Sequence, residues 1–281
     1  MAGGFPVGYQ GAPIIDFYLQ ALSAPIGVSA SATVNTKGAW TDLIFATTFH
    51  GGALLVSIRP STALNVYAVD IGIGSAGSEI TIIPNIYVCG QASTKDMMFI
   101  VPIAIPAGSR VAARAQSSTA SAALNMAAWV LPDTMGSFNA NGAIDTYNMT
   151  IASATMVTNA IDPGATANTK GAYVSLASAT TRDYRGFFLS VGPGSATTAT
   201  ISPPSATVDI AIGSAGNEKI ILPDFPMVAA TTSATITAWG TPLGAMIPIP
   251  IPAGSRVAAR ASCNRNTATG RLIGVAFHGV P

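Results

Sequence analysis

The chain of 281 residues is 49% hydrophobic but only 9% charged, and its formal net charge is +1. Because no run of lysine or arginine occurs, the counterion release that drives nucleic-acid binding has no source, which argues against nucleic acid as a partner. The longest apolar stretch, residues 97–107, is too short to cross a bilayer and contains two prolines, so we predict no membrane-spanning helix.

The first 13 residues are predicted to form an N-terminal arm without regular structure, because glycine and proline are frequent there. Within this arm, Phe5, Pro6 and Tyr9 are the candidate assembly residues, since apolar and aromatic side chains can become ordered against a neighbouring subunit. The arm lacks the basic start and the compact apolar stretch of a signal peptide, so we expect no Sec export.

After the arm, β-strand signals dominate. Short segments rich in β-branched and aromatic residues follow one another at roughly 8–12 residues, with turn residues between them, and no segment sustains a helical apolar period. This spacing is typical of β-sandwiches, and eight strands per unit fit a jelly roll. The strands predicted for the first half lie near residues 13–22, 27–35, 39–47, 52–59, 63–73, 79–89, 97–105, 109–116 and 122–131.

Two long segments of the chain occur twice. Residues 69–79 return as residues 208–218 with 9 of 11 positions identical, and residues 101–115 return as residues 247–261 with 13 of 15 identical. A period this long indicates a duplicated domain and excludes a solenoid array. The sequence therefore predicts an all-β chain of two tandem homologous antiparallel, jelly-roll-like β-sandwich domains from an internal duplication. The predicted boundaries are an arm at 1–13, copy one at 14–132, a linker at 133–142 and copy two at 143–281.

Four charged positions recur in both copies of a chain in which charge is rare. We predict that these side chains form structural ion pairs or hydrogen bonds to turn amides, because a buried charge needs a partner. Two alternatives carry less weight. A calcium site lacks the usual oxygen-ligand spacing, and a glycosidase carboxylate pair has no other polar groups converging on it. The ion-pair candidates are Asp70, Glu79, Arg110, Arg114, Asp209, Glu218, Arg256 and Arg260.

The other chemically reactive residues do not assemble into a catalytic or metal-binding set. His50 and His278 are the only histidines and neither recurs, which leaves too few parts for a hydrolytic triad or a histidine metal site. Cys89 and Cys263 occupy unrelated positions in their copies and are predicted to be free, buried thiols. Trp239 has no counterpart and is a candidate for contact with a partner or a glycan. We therefore expect no catalytic residue, no metal and no cofactor, and hence no enzyme.

The repeated phrases Ile-Pro-Ala-Gly-Ser-Arg-Val-Ala-Ala-Arg and Val-Asp-Ile-Gly-Ile-Gly-Ser-Ala-Gly-Ser-Glu resemble segments of poorly characterised structural proteins of tailed bacteriophages. The resemblance covers most of each copy but carries no functional motif, so it transfers no site residue. It implies a virion component, made in the host cytoplasm, that assembles with other virion proteins and with itself, by preference as a homotrimer.

Within a virion, three roles compete: a capsid decoration or cement protein, a tail or fibre component, and a double jelly-roll major capsid protein. A non-enzymatic, self-assembling decoration protein is the function expected. The alternative from another class is a glycan-binding module pair, which would use exposed aromatic side chains such as Trp239.

Overall fold

A computed structural model describes most of the chain, and all structural statements below refer to the residues that it describes. Strands, turns and bends make up this part of the chain, which contains no helix and therefore no helix able to span a membrane. The described residues are 26–61, 65–90, 96–132, 142–150, 157–194, 205–232, 235–240, 244–264 and 271–281.

The first half contributes eight of the strands. They are β1 (Ile26–Ser29), β2 (Thr41–Ile44), β3 (Gly51–Pro60), β4 (Asn65–Ile73), β5 (Ile80–Gly90), β6 (Met97–Val101), β7 (Val111–Ser117) and β8 (Ala123–Pro132). The alternation of buried and exposed residues is weak in β4, because both faces of this strand are covered.

The second half contributes nine strands to the described part of the chain. They are β9 (Asp145–Tyr147), β10 (Val174–Ala177), β11 (Gly186–Pro193), β12 (Ser205–Ile212), β13 (Lys219–Thr232), β14 (Thr235–Gly240), β15 (Gly244–Ala245), β16 (Val257–Cys263) and β17 (Ile273–Val280).

These strands form three sheets. A five-stranded sheet has the order β1-β8-β3-β6-β15, a nine-stranded sheet has the order β10-β16-β12-β13-β14-β5-β4-β7-β2, and a three-stranded sheet has the order β11-β17-β9. All pairings are antiparallel except that of β15 with β6. The prediction of an all-β sandwich fold is confirmed.

The nine-stranded sheet serves two hydrophobic cores. The first core lies between its strands β2, β7, β4 and β5 and the five-stranded sheet; the second lies between β10, β16, β12 and β13 and the three-stranded sheet. We call these two units the first and second sandwich. Successive residues of β4 alternate between them: Tyr67 and Val69 pack in the first core, whereas Val66 and Ala68 pack in the second.

The two sandwiches are joined by more than the chain that connects them. Strand β14 pairs with β5, and β15 of the second half extends the sheet of the first. Phe188 and Val280 of the second half are buried in the first core. The predicted arm lies outside the described residues, as does the predicted linker apart from Gly142, so the domain boundaries stay predictions.

The repeated segments occupy matching places in the two sandwiches. Asp70 on β4 pairs with Arg114 on β7, and Asp209 on β12 pairs with Arg260 on β16. The turns after β4 and β12 each contain two glycines with positive φ, at 121° and 83° in the first and at 121° and 84° in the second. The two halves therefore build the same local structure from the same sequence.

Candidate functional site

The first sandwich contains a buried carboxylate that is fully engaged. Asp70 is 3% exposed and accepts hydrogen bonds from Lys37 Nζ at 2.7 Å and Arg114 Nε at 2.9 Å. It also accepts one from the backbone amide of Asn85 at 2.9 Å, at a bulge where Asn85 has a φ of 53°. The guanidinium of Arg114 lies 4.5 Å from the ring centroid of Trp40.

The second sandwich repeats this centre with one added carboxylate. Asp209 accepts hydrogen bonds from Lys170 Nζ at 2.8 Å, Arg260 Nε at 2.9 Å and the amide of Asp224 at 2.9 Å. Burial acts to raise the pKa of Asp209, but these hydrogen bonds outweigh it and hold the pKa below its ordinary value. Asp224 also lies 2.8 Å from Lys170, and Tyr173 takes the place of Trp40 beneath the arginine.

Both centres hold strands together, and each includes a lysine that is not among the ion-pair candidates predicted from the sequence. Lys37 and Lys170 stand in the matching segments 35–39 and 168–172, which share the sequence Asn-Thr-Lys-Gly-Ala. That match was a usable signal, because a lysine that recurs in a chain with so few charges points to a recurring partner. Asp70 and Glu79 contact different cationic side chains, Lys37 and Arg110, so the two carboxylates do not converge on one point.

At the turn after β4, an arginine joins two carboxylates. Arg110 Nη1 donates to Glu79 Oε1 at 2.8 Å and to the carbonyl of Gly74 at 3.3 Å, and Gly77 N donates to Glu79 Oε2 at 3.0 Å. The other edge of the guanidinium is occupied by Asp42, which accepts from Nε at 2.6 Å and also contacts Nη2. This hydrogen bond is the largest cause of the raised pKa of Arg110. We call this group the first turn site.

The second turn site keeps one half of this arrangement. Arg256 Nη1 donates to Glu218 Oε1 at 3.0 Å and to the carbonyl of Gly213 at 3.1 Å, and Gly216 N donates to Glu218 Oε2 at 2.9 Å. Hydrogen bonds from its own amide, from Arg256 and from Gly216 keep the pKa of Glu218 below its ordinary value. The position of Asp42 is taken by Ser175, and no described residue is bonded to Nε or Nη2 of Arg256.

A surface cleft of about 480 Å³ adjoins the second turn site. It lies between the turn that follows β12 and the turn that precedes β16, and Arg256 and Lys219 line it together with Ser214, Asn217 and Ser255. Lys219 is exposed and makes no hydrogen bond or ion pair within the described chain; the matching residue of the first sandwich is Ile80. The cleft thus presents two cationic side chains.

His278 belongs to a buried network at the junction of the sandwiches. Its Nε2 lies 2.7 Å from Ser190 Oγ and its Nδ1 lies 2.8 Å from Thr146 Oγ1. Because Thr146 donates to the carbonyl of Pro84, its oxygen is left to accept from Nδ1–H, and Ser190 then donates to Nε2. Burial lowers the pKa of His278 to about 3, so the ring is neutral. Ser190 is 1% exposed, so this arrangement offers no open nucleophile.

The strand pairing also corrects the sequence alignment around His278. Continuing the alignment of the repeated segments along the sequence places His278 opposite a residue between Val130 and Pro132. In the structure, Phe188 pairs with His278 as Leu55 pairs with Trp129, so His278 takes the place of Trp129. The shift arises because local sequence similarity is weak in this last strand, whereas the register is fixed by backbone pairing.

A further polar cluster fastens the start of the second sandwich. Asp145 Oδ2 accepts hydrogen bonds from Thr181 Oγ1 at 2.9 Å, Arg182 Nε at 2.8 Å and Tyr184 Oη at 2.6 Å. Tyr147 Oη lies 2.6 Å from Tyr184 Oη and accepts from the amide of Thr181. The hydroxyl groups of Thr181, Tyr147 and Tyr184 are hydrogen-bonded within the cluster. The cluster therefore connects β9 to the loop before β11.

The remaining candidates from the sequence have different outcomes. Cys89 and Cys263 are free and buried, and burial raises the pKa of Cys89 to about 12, which makes its thiol a poor nucleophile. Trp239 lies in β14 with its backbone opposite Cys89, and its side chain is outside the described part of the chain. The arm residues Phe5, Pro6 and Tyr9 also lie outside the described residues.

Comparison with known proteins gives remote structural similarity only. The chain is similar to PNGF-II, with 10% identity and a TM-score of 0.32, over 92% of this chain and 66% of that one. It is similar to a peptide-N(4)-(N-acetyl-beta-D-glucosaminyl) asparagine amidase, with 12% identity and a TM-score of 0.31, over 90% of this chain and 94% of that one. PNGase F, a glycosylasparaginase from Flavobacterium meningosepticum, matches with 11% identity and a TM-score of 0.28 over 90% and 93% of the two chains. No protein-family model and no curated protein matches the chain.

These neighbours contradict two expectations drawn from the sequence. Composition and phrase-level resemblance led us to expect a non-enzymatic virion component that catalyses nothing, whereas two of the structures named above are those of an amidase and a glycosylasparaginase. Both expectations are withdrawn. TM-scores of 0.28–0.32 are too low to give this chain the fold or the activity of its neighbours, so their chemistry is not carried over.

Proposed function

We propose that the cleft of the second sandwich binds a small anionic ligand and that the protein acts through this binding. One observation carries the proposal: Arg256 lines the cleft while two of its nitrogen atoms, Nε and Nη2, have no partner among the described residues. A guanidinium edge is a strong, directional donor pair that a bound anion satisfies.

The charge of the cleft favours an anion. Arg256 and Lys219 contribute two positive charges, and Glu218 offsets one of them through its 3.0 Å contact with Arg256. The side chain of Arg256 is 21% exposed, so it is partly shielded from water while remaining open to a ligand. A charge-assisted hydrogen bond formed at such a site is shorter and about twice as strong as one between neutral groups.

The size and lining of the cleft favour a small, polar ligand. The cleft offers about 480 Å³ of space and is open to solvent, so a small ligand can enter it. Ser214, Asn217 and Ser255 add hydroxyl and amide groups to its walls. These groups can fix the orientation of a ligand that carries oxygen atoms beside its charge.

The test is a titration of the full chain with inorganic phosphate, sulfate and acetate, followed by isothermal calorimetry. We expect at least one of these anions to bind the wild-type protein and none to bind the Arg256→Gln variant. Arg110→Gln is the matched control, because Arg110 already has its anions within the chain. It should bind as the wild type does, provided that its circular dichroism is unchanged.

A milder variant replaces the cleft lysine by its counterpart from the first sandwich. Lys219→Ile should weaken binding by about twofold to fivefold, the effect expected of one exposed charge. Failure of all three anions to bind the wild-type protein, or equal binding by wild-type protein and Arg256→Gln, would refute the proposed function.

A further inference from the structure

We infer that the anion bound by Arg256 is a carboxylate, an inference that rests on the anion-binding function proposed above. The first sandwich already holds a carboxylate on the matching edge of its own arginine. The chain thereby contains both a filled and an open version of one site.

The filled version is the first turn site. There Asp42 contacts the edge of Arg110 formed by Nε and Nη2, while Nη1 is held by Glu79 and the carbonyl of Gly74. A single carboxylate oxygen, Asp42 Oδ1, contacts both Nε and Nη2 of Arg110, so this edge receives one anionic oxygen.

The open version differs at the residue that supplies this carboxylate. Strand β2 places Asp42 opposite Ala112, and β10 places Ser175 opposite Ala258, with the same register shift two residues further on. The hydrogen bonds of Arg256 Nη1 keep the lengths of their counterparts to within 0.2 Å, at 3.0 and 3.1 Å against 2.8 and 3.3 Å. Only the Asp42 carboxylate is missing, so the second site retains the geometry that receives one.

Ser175, whose side chain is shorter than that of aspartate, stands at the strand position that Asp42 holds in the first sandwich. Serine carries a single hydroxyl in place of a carboxylate, and Ser175 is partly exposed, so a ligand can approach from solvent. Lys219 lines the cleft together with Arg256 and adds a positive charge that Ile80 does not supply in the first sandwich. A soluble carboxylate therefore takes the position that Asp42 holds within the chain.

The test follows the Nε–Hε resonances of Arg110 and Arg256 by NMR in the full chain, during titrations with acetate, inorganic phosphate and sulfate. In the wild-type protein we expect acetate to shift the Arg256 resonance and to leave that of Arg110 in place. We expect acetate to bind at Arg256 more tightly than phosphate or sulfate.

Two reciprocal variants exchange the filled and open versions of the site. In Ser175→Asp, the Arg256 resonance should move toward that of Arg110 and become insensitive to acetate, whereas the neutral control Ser175→Asn should stay sensitive. In Asp42→Ser, the Arg110 resonance should become sensitive to acetate. Because the two variants alter different sandwiches, each tests the inference even if the other fails to fold.

The results of these titrations distinguish failure of the carboxylate inference from failure of the proposed anion binding. Tighter binding of phosphate or sulfate than of acetate at Arg256 would overturn the carboxylate inference and leave anion binding in place. An Arg256 resonance that no anion shifts would overturn both.

Discussion

The two turn sites share their sequence but differ in whether every nitrogen of the arginine has a hydrogen-bond partner. Arg110 and Arg256 stand in the same ten-residue phrase and bind a glutamate and a glycine carbonyl in the same way. What separates them comes from neighbouring strands: Asp42 and Ile80 in the first sandwich, Ser175 and Lys219 in the second. The comparison teaches that a repeated segment fixes a scaffold, while residues outside it decide whether the scaffold is closed or open to a ligand.

The largest effect on stability should come from removing the buried carboxylates. Here the sandwiches differ because only the second has an additional carboxylate, that of Asp224, beside its lysine. Asp70→Asn leaves Lys37 without its anion in a setting where burial already lowers the pKa of Lys37, so we expect a loss of about 3 kcal/mol in the free energy of unfolding. Asp209→Asn should cost less, because Asp224 remains 2.8 Å from Lys170. Urea denaturation at pH 7 measures both.

The matched control for this pair is Asp224→Asn. The side chain of Asp224 is 69% exposed, so its removal alone should cost less than about 1 kcal/mol. Equal losses for Asp70→Asn and Asp209→Asn would show that Asp224 does not support the second centre.

The next effect concerns His278, which has Trp129 as its counterpart in the first sandwich. Its pKa is lowered from 6.5 to about 3 in the folded chain, so below pH 6.5 the unfolded state binds a proton that the folded state does not. Stability from this residue is complete above pH 6.5 and falls as the pH drops toward 3. At pH 5 the loss should be about 2 kcal/mol relative to pH 7.

Urea denaturation at pH 7 and pH 5 tests this pH dependence in wild-type protein and in His278→Gln. The glutamine variant should be less stable at pH 7 but should lose less stability on acidification, because the carboxylates common to both proteins contribute equally. If the two proteins lost the same stability between pH 7 and pH 5, His278 would not be the source of the acid sensitivity.

A smaller effect is expected where the aromatic residues of the two centres differ. A Cβ at Gly72 would lie 2.8 Å from the ring of Trp40, whereas the second sandwich combines Tyr173 with Ala211 at the matching positions. Gly72→Ala should therefore cost about 1–3 kcal/mol through overpacking. Adding Trp40→Tyr should recover most of this loss.

Thermal denaturation of the two single variants and the double variant gives the coupling energy between positions 40 and 72. Ala211→Gly is the control. It should lower the free energy of unfolding by no more than glycine within a strand usually does, about 0.5–1 kcal/mol. If the losses in stability of the two single variants were additive in the double variant, the ring of Trp40 would not restrict the size of the side chain at position 72.

Local patterns in the sequence predicted much of the fold. The turn phrases and β-branched runs located strands such as β3 and β5 to within a few residues, at 51–60 and 80–90 against the expected 52–59 and 79–89. The pairing of β14 with β5 could not be predicted, since it joins segments about 150 residues apart and leaves no local period. For the same reason, the sharing of β4 between two cores was not foreseen.

The candidate site was predictable only in part. The recurrence of Arg256 and Glu218 in a chain poor in charge identified both residues, and the structure places them 3.0 Å apart. The free edge of Arg256 depends on Ser175, which lies 81 residues earlier and reaches β16 only through strand pairing. Sequence repetition therefore marked the residues that the two sites share and concealed the residue that distinguishes them.

The most direct test of the central claim is a crystal structure of the full chain grown with sodium bromide, in which anomalous scattering locates the anions. We expect a bromide bonded to Nε or Nη2 of Arg256 and none at the matching edge of Arg110, which Asp42 occupies. An Arg256 edge that holds no bromide and is covered by another part of the chain would contradict anion binding at this site.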